Sequence, residues 1–593
     1  MPYTAPVRDI LFALHSVLDL PKDAAPEAAP ELDPDILAAV LEEAGRYASE
    51  VIEPLNRDGD RMGAKLEDGK VTLPPGWTEA YRQWCDAGWA ALTGDPEYGG
   101  QGLPTFLNSA VHEMWNSANT SFSLAPMLTQ SGVEAMEHHA SETLKQTYLA
   151  NLISGKWTGT MNLTEPHAGS DLGALRCRAI PQEDGSYRLK GTKIFITYGD
   201  HEMTENIIHM VIARIDGAPK GVKGISLFLV PKYLVNADGS LGARNDVHAV
   251  SLEHKLGINA SPTAVLAFGE NEGAVGYLVG EENKGLAHMF TMMNNARLAV
   301  GVQGVGVCEM ATQHALAYAR ERKQGRGAGT EPGQMTEIIN HPDIRRTLMT
   351  MRALTQGARM ICLATGLALD MAKSGPSETR AANAARAALL TPVAKAFATD
   401  AAVEVASHGV QIHGGMGFIE ETGAAQYYRD ARILPIYEGT NGIQAMDLVG
   451  RKLPMEDGAV VHGFINELRQ IGEQARANNA PELGRTGERV LEAAAALEEA
   501  TDWLLGALAT EPSKAMAGAT PYLRLFGLAT SGAWLAKGAL AALGDDNLSA
   551  EEKRVRIALA RFMAENLLPE TAGLQSTVTE GGEAALALEP DLL

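Results

Sequence analysis

Apolar residues at helical spacing fill most of this 593-residue chain, and one central stretch breaks the rhythm. Ile36, Leu37, Val40, Leu41 and Ala44 repeat every three to four positions, as do Trp77, Tyr81 and Trp84 and the Met, Phe and Leu residues of 103–136. From Lys156 to about Gly280 the pattern changes to strand-like runs at 157–163, 187–190, 194–197, 207–213 and 225–230. Asp184-Gly185 between two such runs predicts a hairpin. Close-set strands with no long helix between them predict antiparallel pairing in a barrel or sandwich. Helical spacing returns at 286–293, 301–322, 344–372 and 380–407, with small residues in 301–322 that permit close helix approach. Beyond Pro454 come Ala-rich, acidic helices through Leu567 and a Gly/Glu tail. Four segments read as irregular: 57–76, the turn 95–102, a surface loop at 234–247 inserted in the β region, and an exposed linker at 325–333.

The order helical, β, helical, helical is an α+β multidomain arrangement, not a βαβ alternation, so a doubly wound nucleotide-binding fold is not expected. The expected division is an extension at 1–34, a helical domain at 35–158, a β domain at 159–280, a helical bundle at 281–453 and an appended helical domain at 454–593.

Composition narrows the classes. The net charge of −23 argues against nucleic acid and anionic membrane as partners, since both require a basic face. The appended domain alone carries 11 Lys and Arg against 21 Asp and Glu. Cys85, Cys177, Cys308 and Cys362 lie far apart without C-x-x-C spacing, which suits a reducing cytoplasm and suggests no metal site. The N-terminus has charges inside its apolar run and lacks an A-x-A site, so no secretory signal is read there. No run of eighteen uncharged apolar residues predicts a membrane span.

Two stretches carry candidate chemistry. In 425–448 a single carboxylate, Glu438, stands between an apolar run (433–436) and Gly439, Thr440 and Asn441, which open a helix. A glutamate beside apolar residues at a glycine-softened helix start suits a general base with a raised pKa. It equally suits a solvated glutamate stabilised by the helix dipole. In 161–171, a strand runs into Thr-Glu-Pro-His-Ala-Gly-Ser-Asp, whose hydroxyls and backbone N–H groups around a glycine form a nest for a ring edge or phosphate. The plain alternative is a strand-to-strand loop with an Asp turn.

Over about residues 35–453 the chain resembles the acyl-CoA dehydrogenases. The flavin and substrate loop of that family looks like 163–171, its flavin-stacking strand like Lys193-Ile194-Phe195-Ile196-Thr197, and its pyrophosphate arginine like Arg322. Its Q-x-x-G-G segment looks like Gln411 to Gly415, and its catalytic loop like Ile436-Tyr437-Glu438-Gly439-Thr440. Phe195 stands where relatives usually have Trp, His167 where glycine is common, Asn294 where Asp is frequent, and Gly442 where Gln is frequent. The N-terminal run, the insertion around 236–245 and the Ala-rich C-terminal domain are similar to a subgroup that includes the 3-(methylthio)propanoyl-CoA dehydrogenases.

The resemblance implies a N-terminal helical domain, a middle β domain and a C-terminal four-helix bundle. It implies FAD as cofactor and α,β-dehydrogenation of an acyl-CoA thioester to the trans-2-enoyl-CoA. Glu438 would take the α-proton and flavin N5 the hydride. The thioester oxygen would be held by the base's own backbone N–H and a flavin ribityl hydroxyl. Met161, Leu163, Thr164, Gly169, Ser170, Phe195, Thr197, Arg322, Gln411, Gly414, Gly415 and Thr440 would hold flavin; Ser170, Asn294, Arg297 and Gly439 would meet substrate. An electron-transferring flavoprotein would reoxidise the flavin, and the appended domain implies a homodimer. Competing readings are a general fatty acyl-CoA dehydrogenase, an acyl-CoA oxidase passing electrons to oxygen and, more remotely, a DNA-associated flavoprotein.

Overall fold

The computed structural model describes residues 3–21, 32–327, 331 and 333–592. Most of the acidic spacer before Pro34 and four positions of the 325–333 linker lie outside the described residues.

The first long helix, α1 (Pro34–Tyr47), starts where Asp33 accepts a hydrogen bond from Ile36 N at 2.8 Å and Pro34 occupies the first helical position. Residues 57–76, read as irregular, instead finish a helix (Glu53–Met62) and form a small hairpin, Lys65–Glu67 with Lys70–Thr72. Trp77, Trp84, Trp89 and Trp115 build the aromatic core of this region with edge-to-face contacts such as the 5.4 Å between Trp89 and Trp115. Helix α2 (Thr105–His139) is two helices in one: Asn119 drops to φ −161°, and its Oδ1 caps the second part by accepting from Phe122 N at 3.1 Å. The sequence shows only one apolar rhythm there, because residues on both sides of the kink are buried alike.

The β domain holds β1 (Trp157–Asn162), β2 (Arg178–Pro181), β3 (Tyr187–Thr197), β4 (Asn206–Ile215), β5 (Ser226–Pro231), β6 (Tyr233–Val235), β7 (Leu241–Arg244), β8 (Val247–Leu252), β9 (Thr263–Phe268) and β10 (Ala274–Val279). Eight of these strands form one sheet in the order β8-β9-β3-β10-β5-β4-β1, with β2 pairing β3 and β4. Pairing is not wholly antiparallel as expected: β1 runs parallel to β4 along Trp157↔Asn206 to Asn162↔Val211, and β2 also runs parallel to β4. The parallel pairing is possible because long connections, not hairpins, separate those strands. The insertion at 234–247 is a hairpin, β6 with β7, and not an open loop. Strand β1 is buried throughout, and Gly159 N donates to Thr129 Oγ1 of α2 at 3.0 Å, which docks the sheet on the helices.

Residues 286–293 and 301–322 belong to one helix, α3 (Gly285–Glu321), joined by α4 (Pro342–Ser374) and α5 (Arg380–His413). With α2 these long helices make the bundle core. A Cβ on Gly301 or Gly304 would lie 2.6 Å from the carbonyl oxygen of Ala394 or Ala398, so the small residues do set the close approach of α3 to α5. Buried Arg359 ties three helices by pairing with Glu113 and Glu309, each at 2.6 Å.

The tail after Leu567 is helical at Glu570–Glu580 and Gly582–Ala585. The appended helices centre on Ala519–Gly544, which packs on the bundle beside α4. The N-terminal extension lies on this added layer: Phe12 sits 4.1 Å under the Arg556 guanidinium, and Asp19 pairs with Lys537 at 2.6 Å. No helix among the described residues is long and apolar enough to cross a membrane.

Candidate active site

Glu438 sits on a turn between a helix ending at Ala431 and α6 (Asn441–Asp447). The turn begins from a buried Leu434, and Asn441 N closes it on Pro435 O at 2.9 Å. Two successive residues are left-handed, Glu438 at φ +55° and Gly439 at φ +85°. For a residue with a Cβ that conformation costs about 1–2 kcal/mol, so the surrounding structure holds Glu438 in place. Thr440 then caps α6 by accepting from Ile443 N at 3.2 Å. The capping hydroxyl accepts that bond and keeps its own hydrogen to donate.

The carboxyl is half-buried, and burial pushes it up to about 7 against the opposing pull of Lys395 and Arg297. Tyr437, beside it, donates to Gln303 Oε1 of α3 at 2.5 Å. Ile436, expected among the residues drying the base, is 48% exposed.

Arg297 on α3 is buried, lies 3.9 Å from Asp447 Oδ2, donates to Asn294 Oδ1 at 3.4 Å, and would stand 3.8 Å from a Cβ on Gly439. Asn294 itself is exposed. Gln444, fully buried, donates to Gly439 O at 3.3 Å. The structure thus brings Glu438, Gly439 and Arg297 together, with Asn294 at the rim.

The 163–171 loop is anchored from inside. Glu165 accepts from the backbone N–H of Arg176 at 2.6 Å and of Cys177 at 3.0 Å, and from buried Lys193 Nζ at 2.8 Å. Lys193 also donates to Leu163 O at 2.9 Å, and Ile194 N donates to Thr164 O at 2.9 Å. Burial would raise Glu165, but Lys193 and the two N–H groups hold it below the usual carboxylate range. His167 stands 3.4 Å from Glu165 on the outside, a structural neighbour of the loop. Thr164 is left half-buried, and Gly169 and Ser170 exposed.

Phe195 is 59% exposed at φ +61°. The β3–β9 register slips there, from Ile196↔Ala264 to Lys193↔Leu266, so Ile194 and Phe195 both oppose Val265. This bulge turns an aromatic ring out beside the loop that holds Thr164. Met161 is buried within β1, and Thr197 is half-buried at the end of β3.

Arg322 and the Gln411–Gly415 segment form a separate group. Arg322 caps α3, and Gln411, Gly414 and Gly415 are exposed at the end of α5. Tyr318, one turn before Arg322, stacks on His413 at 4.4 Å, so both ends meet. At 1.5 Å per residue, Gln411 lies roughly 24 Å along α5 from Lys395, and Arg322 roughly 37 Å along α3 from Arg297. A single chain does not bring these residues to Glu438.

Both groups fit a flavin dinucleotide. The exposed Phe195 ring with Thr164, Ser170 and Thr197 around it offers a flat apolar face with a hydroxyl edge. A Cβ placed on Gly169, Gly414 or Gly415 would meet no atom within 4 Å, leaving room for a ligand at both groups.

Lys395, Asn441, Lys193, Glu165, Gln303 and Gln444 were not legible as site residues. The one available signal was a lysine inside an otherwise apolar run, true of Lys395 in 392–398.

A bulged sheet, a helical bundle and a carboxylate on a left-handed turn are the parts that the resemblance to flavin-dependent acyl-CoA oxidoreductases requires. The chain belongs to the acyl-CoA dehydrogenase family: models of its N-terminal, middle and C-terminal domains match residues 36–156, 160–270 and 283–453. A fourth, described as acetyl-CoA dehydrogenase C-terminal like, matches 464–589. The chain is 49% identical to the 3-methylmercaptopropionyl-CoA dehydrogenase of Ruegeria pomeroyi, covering 99% of both chains. It is 32% identical to a butyryl-CoA dehydrogenase of Syntrophomonas wolfei, covering 98% of each. Among solved structures, Caenorhabditis elegans ACDH-11 in complex with C11-CoA superposes with a TM-score of 0.77 at 22% identity, covering 96% of this chain and 92% of that one. A Bacillus anthracis acyl-CoA dehydrogenase complexed with FAD gives 0.72 at 21% identity, covering 95% and 90%.

Proposed function

We propose that this chain is an FAD-dependent dehydrogenase that converts 3-(methylthio)propanoyl-CoA to 3-(methylthio)acryloyl-CoA in the breakdown of dimethylsulfoniopropionate. The observation that carries the chemistry is Glu438, held on a strained turn with its carboxyl pushed up to about 7. The substrate reading rests on the 49% identity over 99% of the chain to a relative named for the same acyl group, 3-methylmercaptopropionyl.

Glu438 accepts the α-proton on a carboxylate oxygen; its raised affinity for protons makes it the stronger base. The left-handed turn presents the Glu438 backbone N–H as a donor to the thioester oxygen, where enolate charge develops. Arg297 and Asn294 meet the substrate's CoA arm, with Gly439 and Ser170 against the acyl thioester. FAD, when bound, supplies the hydride acceptor. Met161, Leu163, Thr164, Gly169, Ser170, Phe195, Thr197 and Thr440 would hold its ring system. Arg322, Gln411, Gly414 and Gly415, far from Glu438 in their own chain, would hold the pyrophosphate and adenine end of the flavin of a second copy. The proposed assembly is a homodimer, on the strength of the appended domain, with the cytoplasm as its compartment and an electron-transferring flavoprotein as its electron acceptor.

Steady-state rates over short, long, branched and thioether acyl-CoAs test the substrate. The thioether substrate is expected to give the highest kcat/KM; a tenfold preference for butyryl-CoA or longer chains would replace it with general fatty acyl oxidation. Anaerobic bleaching of the flavin followed by admission of air tests the acceptor, and stoichiometric hydrogen peroxide would make the protein an oxidase.

A further inference from the structure

Lys395 is fully buried on α5, facing the catalytic turn. Its ammonium donates to Asn441 Oδ1 at 2.8 Å, an amide oxygen and not a carboxylate. Asn441 in turn grips α5 through Nδ2, donating to Asp400 Oδ1 at 2.7 Å, Thr399 Oγ1 at 3.0 Å and Ala396 O at 3.2 Å. Asn441 follows Glu438 by three residues, so this cluster fixes the turn that carries the carboxyl. A buried ammonium is costly unless a negative charge compensates it. The anionic groups acting on Lys395 are Glu438 and Asp400.

We propose that Lys395 is a positioning residue for Glu438, its ammonium anchoring the turn through Asn441 and keeping the nearby carboxyl ionised. The inference rests on the reading of Glu438 as the base. Other charges face this cluster from each packed element. Arg297 of α3 acts on both Glu438 and Lys395, and is itself faced by Asp447 and Arg451. Asp400 of α5 is faced by Arg432 and by Arg524 of the appended layer. Asp400 is thus shared among three cations, while Lys395 and Arg297 are the cations acting on Glu438. Burial lowers Lys395 to about 7, so its charge is sensitive to that of its neighbour.

The test compares Lys395→Met, Lys395→Gln and Lys395→Arg in the flavin-loaded protein, with two readouts. One is the acid limb of kcat/KM against pH; the other is an infrared titration of the Glu438 carboxyl in protein carrying 13C-labelled glutamate, assigned by its loss in Glu438→Gln. Both neutral variants are expected to move both midpoints up by about one pH unit or more, a tenfold loss of kcat/KM at neutral pH that is recovered in base. Lys395→Arg is expected to titrate as wild type. Lys395→Gln keeps a donor for Asn441, so it serves if the Met variant does not fold. Unmoved midpoints in the neutral variants, or a Gln variant that behaves as wild type beside a Met variant slowed equally at every pH, would overturn the proposal. An infrared midpoint that shifts while the kinetic limb stays fixed would leave the Lys395 effect standing and remove Glu438 as the base.

Discussion

The two ends of the bundle are built on opposite rules. At the Glu438 end, polar side chains pair inside the fold, Lys395 with Asn441, Tyr437 with Gln303 and Gln444 with Gly439, while Arg297 Nε, Gln303 Nε2 and Gln444 Oε1 are buried without a partner among the described residues. At the other end, Arg322, Gln411, Gly414 and Gly415 stand exposed, and Met416 and Phe418 beside them are 49% and 85% exposed. A site completed within one chain is rigid where chemistry demands fixed geometry, whereas a site shared between chains leaves its half open. Under the proposed function, reaction belongs to the first end and cofactor retention to the second.

The strongest challenge to this division is Glu438→Gln, expected to lower turnover at least ~10³-fold while the protein stays yellow. Loss of flavin instead would mean that the two ends are not separable. Lys193→Met should come next. It strands buried Glu165, a loss of about 3–5 kcal/mol, read as faster amide exchange across 163–177 and reduced FAD occupancy. Arg322→Ala should weaken FAD retention by roughly 10–100-fold, the worth of a charge-assisted contact, with little change in kcat once FAD is saturating. The smallest effect is the pH limb of the wild type. Because Glu438 is pushed up to about 7, the ionised base is lost as pH falls through that value. kcat/KM should drop about tenfold per unit below it and flatten above. A limb near the ordinary glutamate range would show a solvated carboxyl.

Much of the fold was written in apolar spacing. The α5 helix, the strand runs and the close α3–α5 contact through Gly301 and Gly304 all follow from local pattern. What escaped depends on partners distant in sequence. Nothing local says that β1 pairs parallel with β4, since the pairing choice lies in which strands meet and not in either one. The α3 helix read as two pieces because Asn294 and Asn295 interrupt its apolar rhythm, yet polar residues at a site rim do not end a helix. The 57–76 hairpin was hidden by its brevity. At the site, Glu438 was legible through the order of motifs around it, while its left-handed backbone was not. The Phe195 bulge likewise needed the β9 register to be seen. Lys395 escaped because a lone lysine in a helix usually faces water, and only burial on the assembled bundle reveals otherwise.

The central claim is that Glu438 removes the α-proton. It is tested most directly by following exchange of the α-hydrogens of 3-(methylthio)propanoyl-CoA with deuterium oxide, by NMR, anaerobically and without an electron acceptor. The wild type is expected to exchange them, and Glu438→Gln to exchange at least ~10³-fold more slowly with its flavin still bound. Equal exchange by both proteins would contradict the account.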